Sequence, residues 1–209
     1  TGNVCPMKRF AFAALFAVAC TSAFADRIVF IPTGRKVNDK NVRFDVLGQP
    51  SRDNAFGWFT IGLMNTWEFE LYGENLNTDH LDMGANVAYN LIQPLTDLGP
   101  GVSFGILDLG DNTSNRRTGY VAVTYRLGNV APINQDIPTD FSFGLWTRDE
   151  GVFFAGMEIP FSKEFRLLAE HDSRFITAGI ELKPVEEASL RFLFRDGSPM
   201  VGLKFQKRF

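Results

Sequence analysis

No apolar run in this chain approaches the roughly 20 residues that a membrane-spanning helix needs. No stretch beyond residue 26 repeats its apolar positions with the 3.6-residue period of an amphipathic helix. Helical membrane proteins and helical bundles are thereby excluded. Cysteine is nearly absent: Cys5 and Cys20 are the two in 209 residues, both near the start, so a disulfide-stapled scaffold and thiol catalysis are excluded. There are two histidines, His80 and His171, and neither has the spacing of a metal site or a nucleophile elbow. A basic surplus is also missing, with 21 Lys and Arg against 24 Asp and Glu, which argues against a nucleic-acid partner.

Residues 1–25 read as an upstream extension followed by a signal peptide. Met7 is the expected start, Lys8 and Arg9 form its basic region, and "FAFAALFAVAC" is an apolar stretch of signal-peptide length. The small-x-small triplet Ala23-Phe24-Ala25 then places cleavage after Ala25. Cys20, after Ala17-Val18-Ala19, offers the competing expectation of a lipid-carrying cysteine. Residues 26–209 form one domain, with enough apolar material for one sizeable core.

That domain alternates apolar with polar or small residues again and again, the mark of strands whose two faces meet different surroundings. Strands are expected at 41–48, 57–64, 67–74, 81–91, 101–107, 119–127, 140–147, 152–159, 164–170, 174–182, 188–195 and 200–208. "RIVFIPTGRKV" at 27–37 reads as a further short strand, stopped early by Pro32 and Gly34. Short links with turn chemistry, such as "RDEG" at 148–151 and "RDGS" at 195–198, make the chain an antiparallel up-and-down meander.

The two faces differ in kind. One carries Phe59, Ile61 and Leu63, then Trp67, Phe69 and Leu71, then Val121, Val123, Tyr125 and Leu127, and later Phe192, Phe194, Val201, Leu203 and Phe205. The other carries a recurring glycine (Gly62, Gly84, Gly105, Gly144, Gly156, Gly179, Gly202) and nearly all the strand charges: Arg43, Asp45, Glu68, Glu70, Asp82, Arg126, Glu158, Arg166, Glu170, Glu181, Arg191, Arg195 and Lys204. Glycine weakens a water-exposed sheet face, but inside a narrow closed barrel it makes room for long side chains from neighbouring strands. Bulk outside with glycine and charge inside gives the fold class: an all-β, antiparallel up-and-down transmembrane β-barrel of about 12 strands. The alternative is a soluble secreted or periplasmic β-sandwich binding protein, whose apolar faces would form an ordinary core.

Within such a barrel the charges are lumen charges. Acidic Glu68, Glu70 and Asp82 on early strands and basic Arg191, Arg195 and Lys204 on late ones would either set a transverse field across a pore or pair into a plug. No residues converge as a nucleophile, base and acid would, so no enzyme activity and no cofactor are expected, with a membrane-embedded lipid-modifying enzyme as the third alternative. Arg116 and Arg117, in the polar link "DNTSNRRTG", suit lipopolysaccharide phosphates or plain solvent.

The ending "PMVGLKFQKRF" resembles the outer-membrane barrel assembly signal. Val201, Leu203, Phe205 and terminal Phe209 fit it, and Lys207 departs from it. That resemblance implies a bacterial outer-membrane location, with outer-membrane lipid and the barrel assembly machinery as partners. "LLAEHDSRFITAGIELKPVEEASLRFLFRDG" and "GVSFGILDLGDN" are similar in rhythm to the YjbH-like barrel proteins associated with exopolysaccharide secretion. This second resemblance implies a structural or porin-like protein linked to passage of polysaccharide or a small polar solute.

Overall fold

The computed structural model describes residues 27–35, 39–64, 66–76, 80–114, 116–128, 137–148 and 152–208. Twelve strands follow in chain order: β1 (Asn41–Gln49), β2 (Asn54–Leu63), β3 (Trp67–Leu76), β4 (Asp82–Ile92), β5 (Gly101–Leu107), β6 (Thr118–Leu127), β7 (Thr139–Trp146), β8 (Phe153–Pro160), β9 (Phe165–His171), β10 (Ile176–Val185), β11 (Ala188–Arg195) and β12 (Ser198–Arg208). Each falls within three residues of its expected bounds. The single helical element among the described residues is a 3-10 turn, Pro50–Arg52.

Every strand pairs antiparallel with its neighbours in sequence, and β1 pairs with β12 to close the sheet into a barrel. The closing seam runs from Asn41 opposite Arg208 to Gly48 opposite Val201. Closure leaves no sheet edge, so every wall strand has partners on both sides. The β11–β12 hairpin turns on Asp196 (φ 49°) and Gly197 (φ 72°). Left-handed backbone at both central residues matches the twist of the flanking strands, and this is why the turn reads Asp-Gly.

Two ends follow from the meander. The terminal end holds the start of β1, the end of β12 and the links 64–66, 93–100, 128–138, 161–164 and 186–187. The far end holds the links 50–53, 77–81, 108–117, 147–152, 172–175 and 196–197. Longer links occur at both ends.

The apolar face points outward all round the wall: Phe194 is 60 % exposed, Leu203 58 %, Leu145 54 % and Leu71 53 %. Inward-facing positions are buried, as the alternating pattern of β1 shows along its whole length. The apolar and polar faces therefore lie as a membrane barrel has them and as a soluble sandwich does not.

Two expectations need correction. Residues 27–35 are not a wall strand. They form a hook inside the lumen, in which Arg27 bridges to Pro32 antiparallel and the Ile28 amide donates to the Ile31 carbonyl. The hook has no sheet neighbour to continue because Pro32 lacks an amide hydrogen; its shape is set by what surrounds it. The inward face is also not only glycine and charge. Ile28, Val29 and Ile31 of the hook pack with Leu47, Trp58, Tyr72, Phe154, Leu168, Leu193 and Met200 of the wall into a buried core within the barrel. Each such side chain contributes about 1.5–3 kcal/mol on burial.

The glycines make this core fit. A Cβ added at Gly144 would lie 2.2 Å from Phe154 Cζ, and one at Gly202 would lie 2.2 Å from Leu47 Cδ2. At Gly156 it would meet Ile31 Cδ1 at 2.8 Å, so that glycine seats the hook itself.

Candidate functional site: the filled lumen

The inward charges form one continuous ladder of alternating sign. Arg43 bonds Asp45, two residues along the same face of β1. Across the seam, Arg191 Nη1 lies 3.6 Å from Asp45 and Nε lies 2.6 Å from Glu181. Arg166 Nε lies 3.8 Å from Glu181 and Nη1 lies 3.5 Å from Glu158. Arg35 of the hook then bridges Glu158 (2.9 Å) and Asp140 (2.5 Å), and Arg126 closes the run on Asp140 at 2.9 and 3.0 Å. Lys204 lines a small cavity with Arg166 and Glu181.

This geometry differs from two opposed walls of opposite charge. Arg191 and Lys204 on the late strands are interleaved with Glu181 and Asp45 on adjacent ones, so the field is neutralised locally. Removing one partner from such a buried pair costs about 3–5 kcal/mol, because the survivor is left charged and unpaired.

The remaining carboxylates of the set hold the hook. Glu170 accepts from the backbone amides of Val29 (2.9 Å), Phe30 (2.9 Å) and Ile31 (3.3 Å), which converge on it as a nest. Glu70 accepts from Arg27, from Thr60 Oγ1 at 2.9 Å and from Asn86 Nδ2 at 2.6 Å. Glu70 thus ties the hook's Arg27 to the wall residues Thr60 and Asn86, and half-buried Glu68 stands two residues along the same strand face. The hook backbone is held further along: Gly34 N donates to Thr124 Oγ1 (2.7 Å), Ser103 Oγ donates to the Thr33 carbonyl (2.6 Å), and Asn90 Nδ2 bonds the Arg35 carbonyl.

Arg195 sits apart from the ladder. Its guanidinium bonds Asp172 at 2.6 Å and lies 3.8 Å over the Phe30 ring and 4.9 Å over Phe175, a cation–π stack on the hook. With Trp58, Tyr72, Trp146 and Arg148 it lines a cavity of about 280 Å³ at the far end, floored by Arg27 and Phe30. Asp82 lies in the inward phase of β4, but at its exposed start.

Sequence reasoning missed four charges that complete this site. Asp140 and Glu74 were legible, being in phase with Ser142 and Glu70; Glu74 accepts from Tyr72 Oη and from the Ser114 amide at 2.5 Å. Arg27 and Arg35 lie in no strand, and no periodicity marks them. Of the terminal residues, Val201, Leu203 and Phe205 face outward at 48 %, 58 % and 41 % exposure. Phe209 and residues 1–26, which include the expected signal peptide 1–25, lie outside the described residues.

His171 lies exposed at the end of β9, and Ser173 donates its hydroxyl to the Phe153 carbonyl. Among the described residues no cluster of three or more His, Cys, Asp or Glu could hold a metal ion.

At the far end, the link 108–117 is built on Asp108, whose Oδ2 accepts from Thr113 N (2.6 Å) and Thr113 Oγ1 (2.9 Å) and whose own amide donates to Asn86 Oδ1 (2.7 Å) on the inner wall. Burial pushes this carboxyl up, but those bonds and the amides of Asn112 and Asp111 outweigh it and hold it below the usual aspartate range.

No protein-family model matches the chain, and neither does any curated protein. Among solved structures it is similar to a NanC porin, at 11% identity and a TM-score of 0.46 over 81% of this chain and 98% of that one.

Proposed function

We propose that the protein is a bacterial outer-membrane β-barrel of porin-like type, exported by a leader cleaved after Ala25. Its lumen is stoppered by the hook 27–35, and a small polar solute passes when the hook leaves. The observation that carries this is the pairing of an outward apolar belt with a lumen filled by a separate segment. The belt suits lipid, and the hook's Arg27 and Arg35 supply counter-charges that wall carboxylates Glu70, Asp140 and Glu158 lean on. A polysaccharide or its building units form the solute class suggested by the exopolysaccharide-associated rhythm of the sequence. The far-end cavity, with its aromatic rings and guanidinium groups, is where such a solute is received. The assembly machinery receives the chain through Val201, Leu203, Phe205 and Phe209. No catalytic role is assigned to any residue.

The test has two parts. The mature chain should fractionate with outer membranes and migrate faster on gels before boiling than after; a chain that stays soluble without detergent overturns the membrane assignment. In planar bilayers the intact protein should be silent and a variant lacking 27–35 should conduct. A barrel that inserts but stays silent without the hook is a structural protein.

A further inference from the structure

A further concavity lies on the outer face of the barrel. A groove of about 600 Å³ is cut into the outward face of β4–β7. One wall is an aromatic row, Trp67 against Tyr89 at 4.9 Å and Tyr89 against Phe104 at 5.3 Å between ring centroids. Its floor follows β6, where Val121 pairs with Phe104 and Gly119 pairs with Ile106. Leu145 and Val152 form the opposite side. At Gly119 a Cβ would stand 3.3 Å from the Thr147 side chain, so the groove is open there because the residue has none.

Gly119 in the groove stands two residues beyond Arg117, the end of the link 108–117, which carries a basic pair. Arg117 shares the outward phase of Gly119 and Val121, one step beyond the far end of β6. The link is pinned: Leu109 N donates to the Ala85 carbonyl at 2.8 Å, Arg117 N donates to Asp111 Oδ1 at 2.9 Å, and Arg117 Nη2 donates to the Leu109 carbonyl at 2.8 Å. A guanidinium carries five N–H donors, so this anchor fixes Arg117 while leaving donors over. Arg116 beside it is exposed and held in left-handed backbone (φ 51°). Asp111 is the nearby carboxylate, and one of its oxygens is taken by the Arg117 amide.

We propose that this groove seats an acyl chain of lipopolysaccharide and that Arg116 and Arg117 hold a phosphate of its lipid A. Two consecutive exposed arginines match a phosphate monoester, which carries close to two negative charges and takes paired N–H donors. An apolar groove that reaches Gly119, two residues from Arg117, matches an amphiphile whose charge and chain are joined. This assignment rests on the membrane location proposed above.

The experiment reconstitutes the barrel in phosphatidylcholine vesicles that contain diphosphoryl lipid A, dephosphorylated lipid A or phosphatidylglycerol, and counts retained lipid by native mass spectrometry. The wild type should keep one diphosphoryl lipid A, about tenfold over the dephosphorylated form, the discrimination expected from one lost charge-assisted contact. R116Q/R117Q should remove that preference. G119F should lose the lipid with the arginines intact. Equal retention of lipid A by R116Q/R117Q, or equal retention of phosphatidylglycerol by the wild type, overturns the proposal. Because R117Q also removes the bond to the Leu109 carbonyl, R116Q alone, which should weaken the preference for the diphosphoryl form with that anchor intact, stays decisive if G119F fails to fold. A barrel that inserts but retains no lipid A defeats this inference alone, and a chain that never inserts defeats the membrane assignment as well.

Discussion

Around the lumen, two arcs of wall reach neutrality by different means. From β10 through β11 to β1, Glu181, Arg191, Asp45 and Arg43 find their partners on one another. On β3 and from β7 to β9 the wall carries carboxylates that a guest completes. Glu70 is met by Arg27, Asp140 and Glu158 share Arg35 with wall partners Arg126 and Arg166, and Glu170 is met by three hook amides. The first arc lies at and beside the closing seam, where losing a partner threatens closure. The second arc shows how a wall can stay intact and still depend on a segment that lies outside it.

The sharpest way to break the comparison is Arg191→Met. It takes from buried Asp45 and Glu181 the cation they share and leaves them Arg43 and Arg166 respectively, at a cost of up to about 3–5 kcal/mol. The folded gel band should be lost at a clearly lower temperature, while the bilayer stays as silent as with the wild type. If conduction appears without loss of stability, the two arcs are not separate in function.

Glu170→Gln is the matching change on the other arc. It keeps the side-chain shape and removes the charge that the Val29, Phe30 and Ile31 amides share, an effect of about 1–2 kcal/mol. A thiol introduced by Phe30→Cys should then react faster with a water-soluble maleimide, with little shift in the gel transition. With the proposed cleavage after Ala25 no cysteine competes, since Cys5 and Cys20 leave with residues 1–25. An unchanged reaction rate would mean that Glu170 does not hold the hook.

A smaller effect, off both arcs, serves as the control. Because Asp108 ionises below its usual range, its contribution to the link 108–117 is present above the ordinary aspartate value of 3.8 and is lost as pH falls through the lowered one. Asp108→Asn should reproduce the acid state at neutral pH, at about 1 kcal/mol. Hydrogen exchange at the Thr113 amide checks both, and exchange within the lumen should not change.

The wall was legible because each strand separates two different surroundings, and a period of two is all that such a separation requires. Phe59 outward and Thr60 inward follow from that rule alone. So do Trp58 and Tyr72, which share the inward phase of Thr60 and Glu70 yet are large and apolar; composition by face hid what phase by residue contains. The hook was not legible. Its shape depends on Glu170, 141 residues away from Val29, and on Gly156, which receives Ile31. Contacts at such separation leave no local period. Sequence reasoning found most of the ladder's members, Asp140 and Arg35 excepted, and not its order, because order needs the register of β1 against β12 and of β10 against β11.

The hook precedes the strand that closes the barrel, and five residues, 36–40, join Arg35 to Asn41. At about 3.3–3.6 Å per residue, that leash cannot carry a released hook far from the mouth it came from. Its return is an intramolecular event, with an effective concentration in the millimolar range for a short linker. A free peptide of the same sequence would compete poorly against it. In the proposed gating, chain connectivity would make opening brief and self-reversing without any change in the contacts that hold the closed state.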